Sequence, residues 1–101
     1  MRTLVVTADD AGASRETNEA IARAAADGVV TQASLLVGFP GVEDALAGVG
    51  AAIPLGLHLN LTEGEATTGP VPGATDARGW FLGVGRVLAA ARLGRLRSEE
   101  R

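Results

Sequence analysis

Hydrophobic positions fall in short runs separated by polar or glycine-containing turns, and the spacing inside each run names its element. Leu4-Val5-Val6-Thr7-Ala8 is too short for a helix and rich in β-branched residues, so it predicts a buried strand that ends at Asp9 and Asp10. Ala11-Gly12-Ala13-Ser14 is a turn, with Ser14 placed to cap a helix and Glu16 in the first turn, where the helix dipole favours negative charge. That helix is expected to run to about Asp27, burying Ala20, Ile21, Ala24 and Ala25 on one face and stopping at Gly28. Gln32 to Val37 reads as a second strand. A helix over roughly Val42 to Val49 follows, with the stripe Val42, Ala45, Leu46 and Val49. After Pro54, the stretch Leu55 to Leu61 alternates with period two, so the leucines point one way and Gly56, His58 and Asn60 the other. Residues 62–79 turn to Gly, Pro, Thr and Glu and predict a long loop, a candidate substrate-facing flap that Trp80-Phe81-Leu82 would tuck down. A last helix is expected from about Val84 to Arg97, with Val84, Val87, Leu88 and Ala91 on one face and no terminating signal.

The order βαβαβ with short connections favours parallel strands, and so an α/β fold in which a barrel and an open sheet are both compatible with the pattern. At 101 residues the chain can hold one small core, against roughly 250 residues for a closed (β/α) barrel. With 47% hydrophobic but only 3% aromatic residues, that core must be built from Ala, Val and Leu. A net charge of -3 argues against nucleic-acid binding, which needs a positive patch. No apolar stretch approaches the roughly 20 residues of a membrane span, and Met1-Arg2 leads straight into a strand without a signal-peptide pattern, so a cytoplasmic location is expected. The chain has no cysteine and no lysine, which removes thiolate ligands and nucleophiles and any lysine-dependent chemistry.

Strand ends of an α/β sheet are where loops gather polar groups over a packed core, so Asp9, Asp10 and His58 are the first candidates. A hydrolase built on a divalent cation needs carboxylate ligands and a carboxylate free to take a proton from water, and two consecutive acids with diverging side chains can divide those roles. Acids at strand ends also serve as simple caps. A neutral imidazole suits zinc and other borderline metals, although a lone histidine in an apolar run is more often a satisfied core residue. Asp10 and His58 fall at equivalent ends of strands one and three. Thr17 and Asn18 read as helix-start caps, Gly12 as a turn requirement, and Asn60 as a supporting polar group. Thr62 and Glu63 stand where sugar hydroxyls could meet a loop, and Ser34, with no histidine partner for a triad, reads as a small strand residue.

The segments Val6-Thr7-Ala8-Asp9-Asp10-Ala11-Gly12-Ala13-Ser14, Thr17-Asn18-Glu19-Ala20-Ile21, Gly28 through Val37, and Gly56-Leu57-His58-Leu59-Asn60-Leu61-Thr62-Glu63-Gly64 resemble the YdjC-like carbohydrate deacetylases, in order and spacing over residues 3–64. The resemblance implies a (β/α) barrel-like fold, a divalent metal ion (Mg or Zn), and hydrolytic removal of an N-acetyl group from an amino sugar or chitooligosaccharide. It matches Asp10 to the aspartate at the metal centre, His58 to a ligand histidine, and Asp9 to the neighbouring acid cast as general base, with Asn60, Thr62 and Glu63 as substrate-side candidates.

Two departures stand out. The family usually carries Phe where this chain has Ala11, and it has a later histidine-rich segment, whereas His58 is the only histidine here. Residues 1–101 are therefore expected to be one incomplete domain, the N-terminal βαβαβ portion of such a barrel. By themselves they should be catalytically inactive, with exposed edges that invite association, a homodimer included. Two other readings stay open: a receiver-like Mg-binding signalling domain, which would need a phosphate-accepting aspartate and a lysine that the third strand and the composition do not offer, and a non-catalytic fragment that needs its missing half or a partner.

Overall fold

The computed structural model describes residues 1–95, which form two compact units divided between Leu59 and Asn60. The first unit holds β1 (Thr7–Ala11), α1 (Arg15–Ala26), β2 (Gln32–Leu35), α2 (Val42–Ala47), α3 (Val49–Ala52) and β3 (Leu55–Leu57). Its sheet has the order β1-β2-β3 with both pairings parallel, as the βαβαβ pattern requires. β1 begins three residues later than its hydrophobic run, because pairing starts only where β2 arrives, at Thr7 opposite Gln32. Thr31 clamps Val6 just before, its hydroxyl accepting from the Val6 N–H, and Leu4 and Val5 are left exposed.

Local chemistry sets α1. The Ser14 hydroxyl accepts from the Thr17 N–H, and the Glu16 carboxyl is held below the ordinary carboxylate range, first by its own backbone N–H and then by Ser14. Gly28, at φ 76, ends the helix: its N–H bonds to the Ala25 carbonyl while Val29 N–H reaches Ala24, the paired bonds of a left-handed stop. Of the expected face Ile21 is buried and Ala24 and Ala25 are half-buried, while Ala20 is exposed; Asn18 and the partly covered Ala22 join Ile21 on the packed side.

Helical packing covers one side of the sheet. Ala11, Ile21, Ala33, Leu35, Ala45 and Val49 form the core, with Ala8, Ala22, Val42, Ile53 and Leu55 packed against it. The expected single helix over 42–49 is two short ones, because the chain bends at Gly48 before Val49 is delivered to the core; Leu46, placed on the buried stripe by spacing, is 54% exposed. Asn18 fastens these parts together. It accepts from Gly12 N–H at 2.8 Å and donates to the Gly41 carbonyl at 2.9 Å and to Asp44 Oδ2 at 2.8 Å. It is the one buried polar side chain among the described residues, and a structural clip instead of the helix cap expected from its position.

β3 stops at Leu57, so the period-two reading fails beyond it, and Leu57 and Leu59 are exposed instead of sharing a buried face with Leu55. Along the paired segments, Thr7, Asp9, Gln32, Ser34 and Gly56 alternate with Ala8, Ala33, Leu35 and Leu55, so the face away from the core is polar.

The second unit is a folded loop followed by α4 (Val84–Arg92). Glu65 bridges Trp80 and Thr75 bridges Phe81, so residues 62–79 carry their own hydrogen-bonded order without a regular helix or ladder. α4 buries Val87 and Ala90, while Val84 and Leu88 face solvent. Its stop signal is Gly94, at φ 65, with Gly94 N–H on the Ala91 carbonyl and Arg95 N–H on Ala90. The expected helical residues 96 and 97 lie outside the described residues.

Asp76 organises the loop by accepting from the Arg78 and Trp80 N–H groups at 2.9 and 3.0 Å. The Trp80 N–H holds its carboxyl below the ordinary range, and Arg78 adds to this. A carboxylate with a lowered folded-state pKa contributes order that is present above its unfolded value and lost as pH falls through the folded one. Fluorescence of Trp80, the sole tryptophan, is expected to report an acid transition with a midpoint below 3.8 that Asp76→Asn abolishes. A midpoint at or above that value would contradict the assignment.

Candidate metal and catalytic site

At the end of β1 the register slips: Ala8 pairs with Ala33 but Ala11 with Leu35, so one extra residue enters β1 between them. Asp9 and Asp10 are that bulge. Asp10 has φ 65 and is the only non-glycine residue of the described chain with positive φ; the following turn is closed by Ala13 N–H on the Asp10 carbonyl. Left-handed backbone with a β-carbon costs about 1–2 kcal/mol, tolerated best by Asp and Asn, and such strain concentrates at functional positions.

The bulge defeats the expectation that the two carboxylates diverge as they would on a regular strand. Asp9 Oδ1 accepts from the Ser34 hydroxyl at 2.8 Å, Asp10 Oδ1 stands 3.4 Å from His58 Nδ1, and Ser34 Oγ lies 3.3 Å from the same nitrogen. His58 follows β3 directly, its N–H bonded to the Leu35 carbonyl, which sets the imidazole beside the middle strand. Sequence reasoning missed Ser34. The available signal was its alternation with Ala33 and Leu35 on the same parity as Gln32, which makes it a polar-face residue and not only a small one.

Asp10 and His58 are accessible, with side chains 59% and 31% exposed. Two donors that share an ion at about 2.0–2.2 Å each stand about 3–3.6 Å apart, so the observed 3.4 Å suits adjacent ligands of one cation. A carboxylate oxygen beside an imidazole nitrogen is the donor set of a borderline divalent ion. Among the described residues no group of three or more His, Cys, Asp or Glu could hold an ion unaided, so these residues fit as two ligands of a site and not as a complete cage.

Asn60 does not continue β3. Its Oδ1 accepts from Thr62 and Glu63 N–H at 3.1 Å each and its Nδ2 donates to the Glu63 carbonyl, a side-chain-closed turn that opens the second unit. Thr62 is half-buried and Glu63 exposed there. Ala11, where an aromatic was expected by resemblance, is fully buried in the core.

A family model described as YdjC-like protein matches residues 3–101. The chain belongs to the YdjC-like family. Curated relatives named carbohydrate deacetylase include those of Brevibacillus brevis, 42% identical over 80 residues, and Geobacillus stearothermophilus, 36% identical over 100 residues. A human carbohydrate deacetylase is 42% identical over 84 residues. These alignments cover 77%, 97% and 79% of this YdjC-like chain but 32%, 40% and 26% of the relatives, so it spans between about a quarter and two-fifths of their length. A solved structure from Enterococcus faecalis, assigned to cellobiose-phosphate cleavage, superposes with a TM-score of 0.71 over 92% of this chain and 36% of that one, at 24% identity. That likeness concerns the fold: mixed α/β with a parallel sheet.

The strained aspartate gives a stability test of the site's backbone. Asp10→Gly is expected to be more stable than Asp10→Ala by about 1 kcal/mol, because only the alanine keeps a β-carbon in the left-handed region. Urea unfolding of both variants measures the difference, and equal midpoints would mean that the bulge is not held in solution.

Proposed function

We propose that this YdjC-like chain carries part of a metal-dependent carbohydrate deacetylase, which hydrolyses the acetamide of an N-acetylated amino sugar or chitooligosaccharide in the cytoplasm. The observation that carries the reading is the meeting of Asp10 Oδ1 and His58 Nδ1, 3.4 Å apart, from the ends of two different strands. Asp10 and His58 would hold a divalent cation, Mg or Zn, which when bound supplies Lewis acidity toward a carbonyl oxygen and toward water. Asp9, the second acid of the bulge, takes a proton from the attacking water. Water adds to the acetamide carbonyl carbon, the C–N bond breaks, acetate leaves, and the amine takes up the proton. Thr62 and Glu63, presented by the Asn60 turn, are proposed to meet sugar hydroxyls.

The described residues are proposed to be one incomplete domain, the opening βαβαβ part of a (β/α) barrel. One feature supports this: β1 and β3 are both edge strands among the described residues, so the parallel sheet has room to extend on either side. No described helix is long and apolar enough to cross a membrane.

Calorimetric titration with Zn²⁺ is expected to show one site per chain, and acetate release from a diacetylated chitooligosaccharide is expected to be absent for residues 1–101 alone. Replacing the matching segment of the Geobacillus stearothermophilus relative with this one is expected to give an active chimera that Asp10→Ala silences. An active chimera indifferent to Asp10→Ala would refute the reading.

A further inference from the structure

The chain has a single tryptophan, and while the core is built from Ala, Val, Leu and Ile, Trp80 is left 51% exposed. Its backbone is nonetheless fixed. Trp80 N–H donates to Asp76 Oδ1 at 3.0 Å, and its carbonyl accepts from Asp76 N–H at 2.8 Å. On the other side Ala66 N–H bonds to the Gly79 carbonyl and Phe81 N–H to the Gly64 carbonyl, both at 2.9 Å, so Glu65 and Trp80 are the directly opposed pair between those two bonds. Such a pair has its Cα atoms about 4.5 Å apart and both side chains on one face. The neighbours alternate as the pleat requires: Ala66 is buried and Phe81 half-buried, while Glu65 and Trp80 are exposed. Phe81 therefore faces inward, and the tryptophan with its acidic neighbour is presented to solvent on a hydrogen-bonded support.

We propose that Trp80 and Glu65 form a sugar subsite that takes a pyranose ring carrying a free amine, as in a partly deacetylated chitooligosaccharide. That the occupant is a sugar rests on the reading of this chain as part of a carbohydrate deacetylase. An indole offers a flat apolar face with a negative quadrupole, on which the C–H face of a pyranose lies and over which an ammonium is attracted. Glu65 supplies the opposite charge beside that face, and among the described residues it has no ion pair. Asp76 is already committed: its Oδ1 accepts from the Arg78 and Trp80 N–H groups, and its Oδ2 stands 3.7 Å from Arg78 Nη2. Charge complementarity therefore selects the amine over the acetamide, because an N-acetyl group removes the positive charge and leaves only the stacking. The subsite lies wholly within the second unit and needs no cation.

With one tryptophan in the chain, its emission reports the subsite directly. The metal-free 101-residue chain is titrated with a glucosamine trimer and with its fully N-acetylated counterpart, at low ionic strength and about pH 6, where an amine is protonated. Expected are a saturable shift of Trp80 emission and an affinity for the glucosamine trimer about fivefold above that for the acetylated one, a preference that Glu65→Gln removes. By ligand-observed NMR, Trp80→Phe is expected to bind the glucosamine trimer within about threefold of the parent, and Trp80→Ala at least about fivefold more weakly. The proposal is overturned if neither trimer shifts the emission saturably, if both bind equally, or if Glu65→Gln keeps the parental preference. It also falls if putrescine, a diamine without a sugar ring, competes as well as the glucosamine trimer. A shift of emission with protein concentration alone would give the surface to a second copy of this chain, and would equally overturn it. Failure of the deacetylase reading shows elsewhere, as Zn²⁺ binding that Asp10→Ala leaves unchanged, so the two failures are distinguishable.

Discussion

Zn²⁺ affinity is expected to fall by two orders of magnitude or more when either Asp10 or His58 is replaced by alanine. Removing a group that merely orients a ligand costs about 10–100-fold, and removing one of two protein ligands must cost at least as much. The two residues are adjacent donors 3.4 Å apart, and among the described residues no group of three or more His, Cys, Asp or Glu could hold an ion, so removal of either leaves one donor of the pair. Asp9→Ala is a contrasting case. Its carboxylate accepts from Ser34 and is not the oxygen closest to His58, so affinity should drop less than for Asp10→Ala, while acetate release in an active chimera should disappear. Titration calorimetry of the three variants orders them. Affinities equal to the parent for both Asp10→Ala and His58→Ala would remove the cation from the account.

Asn18→Ala is expected to cost about 3 kcal/mol of stability, more than any other single truncation of a polar side chain in the first unit. The amide satisfies a buried Gly12 N–H and the Gly41 carbonyl, and each buried backbone group left without a partner costs about 1–3 kcal/mol. It also ties α1 to Asp44 in α2 and so joins elements that meet only through short side chains. In a domain of this size the loss corresponds to a fall in Tm of about 12–24 °C. Asn18→Asp should be no better, since a carboxylate cannot donate to Gly41 and would face Asp44 with like charge. Thermal and urea unfolding measure both. A change below about 0.5 kcal/mol, the scale of an ordinary surface substitution, would show that the clip does not matter.

The site was partly legible before any coordinates. Asp9 and Asp10 stand out because a β-branched run ends on them, and His58 because it is the only imidazole and lies in an apolar run; the structure places all three in one cluster with Ser34. Ser34 escaped because its importance lies in partners 25 and 24 positions away, Asp9 in β1 and His58 just past the end of β3, which no local pattern reveals. The period-two reading of Leu55 to Leu61 put His58 and Asn60 on one face, yet β3 ends at Leu57 and Asn60 spends its side chain closing a turn. Strand length depends on how far the neighbour continues, and β2 stops at Leu35.

Much of α1 was written in contiguous residues. Ser14, Glu16 and Gly28 start and stop it through hydrogen bonds that span no more than five positions, and such signals act before any tertiary contact exists. The same locality fixed the βαβαβ order and, through motif spacing, membership of the YdjC-like family. Tertiary structure alone decided the rest. The bulge at Asp9 and Asp10 exists only as a mismatch of register with β2, and it sends two successive carboxylates to the same neighbourhood when a regular strand would send them to opposite faces. That Asn18 is buried beside Ile21 on α1 while Ala20 is exposed was likewise decided by what Asn18 reaches across to, Gly41 and Asp44, and not by the spacing of the alanines. Small apolar side chains give a weak periodic signal, so buried hydrogen bonds and strand pairing, both properties of distant segments, set the final arrangement.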